Sequence, residues 1–247
     1  MKRKIGAALL AGLLGVASFA SIAGAQCVPG QLLDWDEGFA YETAYNPLTF
    51  ISSLGSNATV VGKLVGLCGP LSGFDASDPT KEYTFVFTAL SSNGTVGPQA
   101  VGSSTRWTTT YAGGTFAVYE DTTPDAPTAA TLPASPPNVD VPSKYSDGTV
   151  ILSGTLSNFR TQIVLNGGQY ISSMLGNFVI TGGSASGGAL SGTGSGLLQG
   201  TWCPNGAGAT GLCALPTGFS AVSNGKFDVP PTSVLESTWG AIKAIYR

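Results

Sequence analysis

The sequence predicts an all-β protein, built either as an antiparallel β-sandwich or as a partly open β-barrel with a short C-terminal helix. Short runs recur in which apolar and polar residues alternate, as expected for strands whose successive side chains point to opposite faces. Gly, Asn and Asp separate these runs about every ten residues. The regular alternation of strands and helices that is typical of doubly wound folds is missing.

The clearest strand is predicted over residues 82–90 (EYTFVFTAL). Tyr83, Phe85 and Phe87 fall on one face of this run, which is therefore expected to be buried. Further strands are predicted at residues 60–67, 105–112, 115–120, 149–156, 158–165, 169–173 and 177–181.

Two glycine pairs are predicted to reverse the chain. Gly113-Gly114 lies between the runs 105–112 and 115–120, and glycine readily adopts the positive φ of a tight hairpin. We therefore expect these two runs to pair with each other. Asn166-Gly167-Gly168 predicts a second reversal.

Three stretches have no clear strand pattern. Residues 26–57 are mixed, and within them residues 44–54 predict a short helix or irregular cover. Residues 121–146 contain six prolines, which lack the amide donor that a sheet needs, and predict a long loop or an extended linker. Such a segment is expected to be either a mobile excursion, the favoured interpretation, or a functional loop. Residues 182–200 are rich in glycine without a phosphate-binding pattern, and predict a sheet edge or flexible turn.

The N-terminus predicts a secretory signal peptide over residues 1–25. Lys2, Arg3 and Lys4 precede an apolar run, and the run ends in Ala-Gly-Ala before Gln26. The mature protein is then a single all-β domain over residues 26–229, with the proline-rich loop inside it. The organisation is typical of an exported protein of bacterial origin.

Residues 230–247 predict a C-terminal helical segment or tail. Ser233 and Glu236 match a capping box. An apolar stripe at helical spacing follows, formed by Leu235, Trp239, Ile242 and Tyr246. This helix is expected either to dock on the β domain or to serve as a detachable tail.

Composition excludes several classes of function. The chain of 247 residues has no histidine, which removes Ser-His-Asp, Cys-His and His-ligated metal chemistry. Three of its 11 basic residues lie in the signal peptide, so 8 basic and 14 acidic residues leave about −6 on the mature chain. This balance disfavours nucleic acid as a partner. No later segment is apolar enough to predict a membrane span after signal removal.

The four cysteines predict two disulfides. Cys27–Cys68 and Cys203–Cys213 are the favoured pairs because each joins neighbours in sequence, although four cysteines allow three connectivities. A metal site is disfavoured, since no C-x-x-C spacing occurs. Disulfides agree with a secreted, extracellular or cell-surface location, or with the periplasm.

No motif names an activity. The favoured hypothesis is an exported, non-enzymatic surface or extracellular structural or interaction protein that needs no cofactor. One alternative is a carbohydrate- or calcium-binding β-module, with a polysaccharide or a cell-surface component as partner. A hydrolase that uses two carboxylates is the third hypothesis.

Each hypothesis has candidate residues. Calcium ligands are predicted in loops, from oxygen-bearing side chains: Asp75, Asp78, Glu120 and Asp121. The aromatic rings available to hold a sugar are Trp35, Trp107 and Trp202. The candidate catalytic carboxylates form two groups: Asp34, Asp36, Glu37 and Glu42, and then Glu120, Asp121 and Asp125.

Overall fold

Antiparallel strands make up most of the computed structural model, which describes residues 27–187, 190, 194–206 and 211–229. The twelve strands are β1 Gln31–Glu42, β2 Tyr45–Asn46, β3 Ile51–Ser52, β4 Asn57–Lys63, β5 Gly66–Leu67, β6 Glu82–Val101, β7 Ser104–Ala112, β8 Thr115–Asp121, β9 Thr149–Asn166, β10 Gln169–Gly182, β11 Ser195–Pro204 and β12 Ala221–Asp228. Short 3-10 turns whose bounds lie wholly within the described ranges occur at Gly69–Leu71 and Ser143–Tyr145. The predicted signal peptide and C-terminal helix lie outside the described residues.

The main sheet closes into an eight-stranded barrel. Its order is β10-β11-β12-β1-β4-β6, followed by β7 and β8 together in one position, and then β9, which pairs back onto β10. The all-β prediction is confirmed, and of the two predicted architectures the barrel is the correct one, closed rather than partly open. Closure leaves the barrel without the unpaired edges of an open sheet.

The predicted hairpin at Gly113-Gly114 is wrong. Strands β7 and β8 do not pair with each other, because both lie between β6 and β9 and run in the same direction. The two glycines have φ of 69° and 121°, and they offset the chain from one strand to the next without reversing it. The reversal predicted at Asn166-Gly167-Gly168 is confirmed, since β9 pairs with β10 across it.

Aromatic rings fill the inside of the barrel. Phe227 lies at the centre, with its ring centroid 4.3 Å from that of Phe178 and 5.0 Å from that of Phe116. Trp35 and Phe87 contact the same ring at 6.1 and 5.8 Å. All five side chains are buried, as the alternation of residues 82–90 predicts for the inward face of β6. The centre of the barrel is therefore a packed core.

Glycines on the inward face make room for these rings. A Cβ atom at Gly196 would lie 2.6 Å from Phe178, and one at Gly62 would lie 2.6 Å from Phe85. Large and small residues thus alternate inside the barrel, as a narrow closed sheet requires. The prediction of a sheet edge or flexible turn at residues 182–200 is accordingly wrong where Gly196 lies, within β11.

The proline-rich segment, residues 121–146, covers the outside of the barrel. It buries Val141 and Tyr145 against outward-facing side chains of β1, β4 and β6. The Tyr145 hydroxyl donates to the Pro127 carbonyl at 2.6 Å, and the Thr84 hydroxyl donates to the Tyr145 carbonyl at 2.9 Å. The segment is therefore a packed cover, in contrast to the mobile loop that its prolines predict.

Both predicted disulfides are confirmed. Cys27 bonds to Cys68 and ties the start of β1 to the end of β5, while Cys203 bonds to Cys213 at the opposite end of the barrel. All four cysteines of the chain are thus paired. Within the described ranges, no helix is long and apolar enough to cross a membrane.

Candidate binding groove and buried carboxylate

A groove of about 570 Å³ runs over the outer surface of the barrel, across the adjacent strands β9, β10, β11, β12 and β1. Most side chains that line it carry a polar group. They are Asp34, Asp36, Arg160, Gln162, Ser173, Gln199, Asn224 and Lys226. Two carboxylates and two cationic groups are among these side chains, so the side chains that line the groove carry no net formal charge.

Strand alternation produces this polar lining. On β12, Ser223, Gly225 and Phe227 are buried, while Asn224 and Lys226 take the other face. On β11, Gly200 pairs directly with Gly225, and neither brings a side chain to the groove. A Cβ atom at Gly225 would lie 2.7 Å from both Met174 and Trp35 inside the barrel. Packing in the core therefore requires glycine at position 225, and this glycine forms part of the floor of the groove.

Several groove side chains are held in place by their neighbours. The Gln199 amide donates to Asp228 at 2.7 Å, and Lys226 pairs with the same Asp228 oxygen at 3.0 Å. The Asn224 side-chain oxygen accepts from the Thr201 hydroxyl at 2.8 Å. These contacts fix planar polar groups in position before a ligand arrives, which lowers the entropy that binding has to overcome.

Asp34 has an altered acidity. Partial burial is the main cause that raises the pKa of this carboxyl group, and the nearby charge of Asp36 raises it further. A hydrogen bond with Gln31 and the charge of Lys226 act in the opposite direction. Asp34 and Asp36 lie two residues apart on β1, and both line the groove.

The three predicted sugar-stacking residues do not form an exposed strip. Trp202 is buried inside the barrel, so its ring is closed to a ligand. Trp35 belongs to the lining of the groove, but its side chain is fully buried in the core beneath Gly225, so its ring face is also covered. Trp107 is half-buried on the same face of β7 as Tyr111, and its ring contacts Phe50 at 5.4 Å and Tyr170 at 6.5 Å. The groove consequently offers hydrogen bonds in place of aromatic stacking.

The four predicted calcium ligands each have protein partners. Asp75 accepts hydrogen bonds from Ser77, and Asp78 accepts them from Thr80, within two exposed turns. These bonds lower the pKa of both carboxyl groups. Glu120 pairs with the Lys81 ammonium at 2.7 Å.

The fourth predicted ligand, Asp121, belongs to a different acidic group. Its carboxylate lies with those of Glu82 and Asp125, with one oxygen of each within 4.8 Å of the others. One Glu82 oxygen pairs with Lys63 at 2.8 Å, and the other accepts from the Asp125 and Ala126 amides. These contacts anchor the proline-rich segment, which gives Glu82 a structural role.

A second feature is a largely buried carboxylate at the end of β1. One oxygen of Glu42 accepts from the Tyr111 hydroxyl at 2.6 Å, and the other accepts from Ser52 and Ser56. Burial raises the pKa of Glu42, while these three hydrogen bonds partly oppose this effect. Residues 44–54, predicted as a short helix or irregular cover, form the β2–β3 hairpin and turns beside this carboxylate.

Charging Glu42 is expected to destabilise the folded protein. Because its folded-state pKa lies above the ordinary 4.5, the native state holds the proton more tightly than the unfolded state does. Stability should therefore fall as pH rises from about 4.5 through the raised pKa, and a tenfold difference in proton affinity between the two states corresponds to about 1.4 kcal/mol. Urea unfolding of wild type and Glu42→Gln between pH 4 and pH 8 would isolate this contribution. A wild-type stability that rises relative to the variant with increasing pH would contradict it.

Some groove residues are predictable from the sequence and others are not. Asp34 and Asp36 are among the predicted carboxylates, and Arg160 and Gln162 follow the polar side of a predicted strand. Gln199, Asn224 and Lys226 lie on β11 and β12, which fall outside the predicted strands. The alternation of small or apolar residues with polar residues over 221–228 is a strand pattern, and it would have placed Asn224 and Lys226 together on the outward face.

Comparison of the chain with protein-family models, with curated proteins and with solved structures finds no match.

Proposed function

We propose that the protein is an exported, non-enzymatic binding protein of the extracellular space or cell surface, and that its ligand is an uncharged polysaccharide held in the outer groove. The two confirmed disulfides support a location outside the reducing cytoplasm. The aromatic core supports placing the ligand outside the barrel, because the rings already occupy its centre.

The charge balance of the groove is the observation that carries this proposal. Asp34 and Asp36 lie at its β1 end, and Arg160 lies at its β9 end, with Lys226 between them. A strongly charged ligand would meet repulsion at one end or the other. A neutral polymer of hydroxyl groups can donate to the carboxylates and accept from the guanidinium, the ammonium and the amides.

The groove is also long enough for several sugar units. It crosses five adjacent strands, and neighbouring strands lie about 4.8 Å apart, so its ends are separated by roughly 19 Å along the sheet. An extended polymer suits this shape better than a single small molecule does.

Gln162→Ala should weaken binding to a neutral polysaccharide by about fivefold, the effect of losing about one hydrogen bond. Calorimetry against soluble xylan, starch and mixed-linkage glucan, with alginate as the anionic comparison, measures the affinity. Gln99→Ala is the matched control, because Gln99 is exposed on β6 outside the groove. The proposal fails if no neutral polymer binds, if alginate binds best, or if the two variants lose affinity equally.

A second candidate function is hydrolysis of such a polymer. It is favoured by one observation, that the carboxyl groups of Asp34 and Asp36 both line the groove, since glycosidases use a pair of carboxyl groups. Partial burial raises the pKa of Asp34, which is the direction expected for the acid of such a pair. Release of reducing ends by the wild type, abolished in Asp34→Asn, would favour hydrolysis. Binding without release favours the non-enzymatic proposal.

A further inference from the structure

A second groove, of about 380 Å³, lies on the outer surface of the barrel across strands β6, β8, β9 and β10. We call it the hydroxyl groove, because six of its ten lining residues carry a hydroxyl group. They are Thr88, Thr115, Tyr119, Ser153, Thr155 and Thr181. No charged residue occurs among the described residues that line it, and none of them belongs to the outer groove. It is therefore a separate candidate site.

Strand register places three of these hydroxyl groups in one row. Thr88 on β6 pairs with Thr115 on β8, and Thr115 pairs with Thr155 on β9. Neighbouring strands lie about 4.8 Å apart, so the row is roughly 10 Å long. The adjacent residues Phe87 and Phe116 are buried in the core. Because successive side chains of a strand point to opposite faces, the threonines point outward into the groove.

The hydroxyl groups in the groove are accessible and have capacity for further hydrogen bonds. Thr115, Thr155 and Thr181 are all exposed. Thr88 and Thr115 share one hydrogen bond at 2.9 Å. The hydroxyls of Thr155 and Thr181 form no hydrogen bond with another described residue. A hydroxyl group both donates and accepts, so this lining matches a ligand that carries hydroxyl groups of its own.

Apolar groups complete the lining. Val86 on β6 pairs with Ala117 on β8, in the row next to the threonines. The half-buried ring of Tyr119 follows two residues further along β8. A sugar ring has apolar C–H faces as well as hydroxyl groups, and a tyrosine ring with its polar tip suits such a ligand. The groove therefore offers both kinds of contact without a charge that would favour an ion.

Uncharged surface lies between the two grooves. Both include residues of β9 and β10, and their nearest lining residues on β10 are Leu175 and Thr181, roughly 20 Å apart at about 3.4 Å per residue. Between them, Asn177 pairs with Ser157 of β9, and both are exposed. A neutral polymer that leaves the outer groove is thus able to continue to the hydroxyl groove without displacing water from a charged group.

We propose that the hydroxyl groove is a second binding site for the same neutral polysaccharide, so that the protein holds one polymer chain at two places. The inference rests on the proposed function for the identity of its ligand. An anionic polymer would find no cation in this groove, whereas a neutral one finds donors and acceptors in the threonine row. Contact at two linked sites raises the affinity for a long polymer above that of either site alone.

An NMR titration of the mature protein with soluble xylan, starch and mixed-linkage glucan tests both grooves in the same samples. The methyl signals of Thr115 and Thr155 report the hydroxyl groove, and the side-chain amides of Gln162 and Gln199 report the outer groove. With the polymer that binds, both sets should shift and saturate together. The methyl signal of Thr149 should stay unchanged, because Thr149 is exposed on β9 outside both grooves.

Thr155→Val measures the contribution of the threonine row. The substitution keeps the branched shape and removes the hydroxyl, so the affinity for the polymer should fall by about fivefold, the effect of losing about one hydrogen bond. Thr149→Val is the matched control on the same strand and should bind the polymer as the wild type does.

The outcomes separate this inference from the proposed function. Amide shifts without shifts of the groove methyl signals would overturn the second site and leave the outer-groove proposal intact. Methyl shifts without amide shifts would contradict the outer groove and, with it, binding at two places. No shift with any of the three polymers would overturn both proposals. A folded Thr155→Val variant that binds as tightly as Thr149→Val would also overturn the second site.

Discussion

Phe227→Ala is expected to lower the free energy of unfolding by about 3–5 kcal/mol, the usual cost of removing a fully buried aromatic ring. Phe227 is fully buried on β12 and contacts rings from four other strands. Its loss would leave a cavity at the point where those rings meet, and the closed sheet has little freedom to collapse into it. In a domain of ordinary stability, this loss would be a large fraction of the total free energy of unfolding.

Val179→Ala is the matched control for this substitution. Val179 lies on β10, and 42% of it is exposed, so its truncation should cost less than about 1 kcal/mol. Urea denaturation with fluorescence detection measures both variants. If the two substitutions cost the same, Phe227 would not be at the centre of a packed interior.

Removal of the Cys27–Cys68 bond is expected to have the second large effect. The bond closes a loop of 41 residues, for which the chain-entropy model gives about 4 kcal/mol. The Cys203–Cys213 bond spans only 10 residues and should contribute about 2.7 kcal/mol by the same model. Paired Cys→Ala replacements at each bond, followed by thermal and urea unfolding, measure the difference. A larger loss at Cys203–Cys213 would contradict this ordering.

Local patterns in the sequence predict the inward faces of the strands well. The alternation in residues 82–90 correctly places Tyr83, Phe85 and Phe87 in the core, because a two-residue period follows directly from strand geometry. The cysteine pairs are also predictable, since each joins positions close in sequence. Both inferences depend on local information alone.

The pairing of strands is less predictable because it depends on distant residues. Gly113-Gly114 has the composition of a hairpin turn, yet β6 and β9 provide better partners for both flanking strands. Likewise, the prolines of residues 121–146 exclude a central strand but do not reveal that Tyr145 packs against the barrel. These outcomes are decided by burial against strands elsewhere in the chain.

The outer groove illustrates the same limit for function. Its polar side chains come from five strands that span most of the chain, from Asp34 to Lys226, and none of them forms a motif in sequence. Only barrel closure brings β9 and β1 to opposite ends of one groove. Residue types alone therefore suggest tryptophan side chains as the ligand contacts. The geometry of the groove favours amide and charged side chains for that role.

The most direct measurement of the groove proposal is an NMR titration of the mature protein with the neutral polysaccharide that binds best, following the side-chain amide signals of asparagine and glutamine. The proposal predicts that the signals of Gln162, Gln199 and Asn224 shift together, saturate at one affinity, and leave Gln99 unchanged. Saturable binding that shifts Gln99 and leaves the three groove amides in place would contradict it.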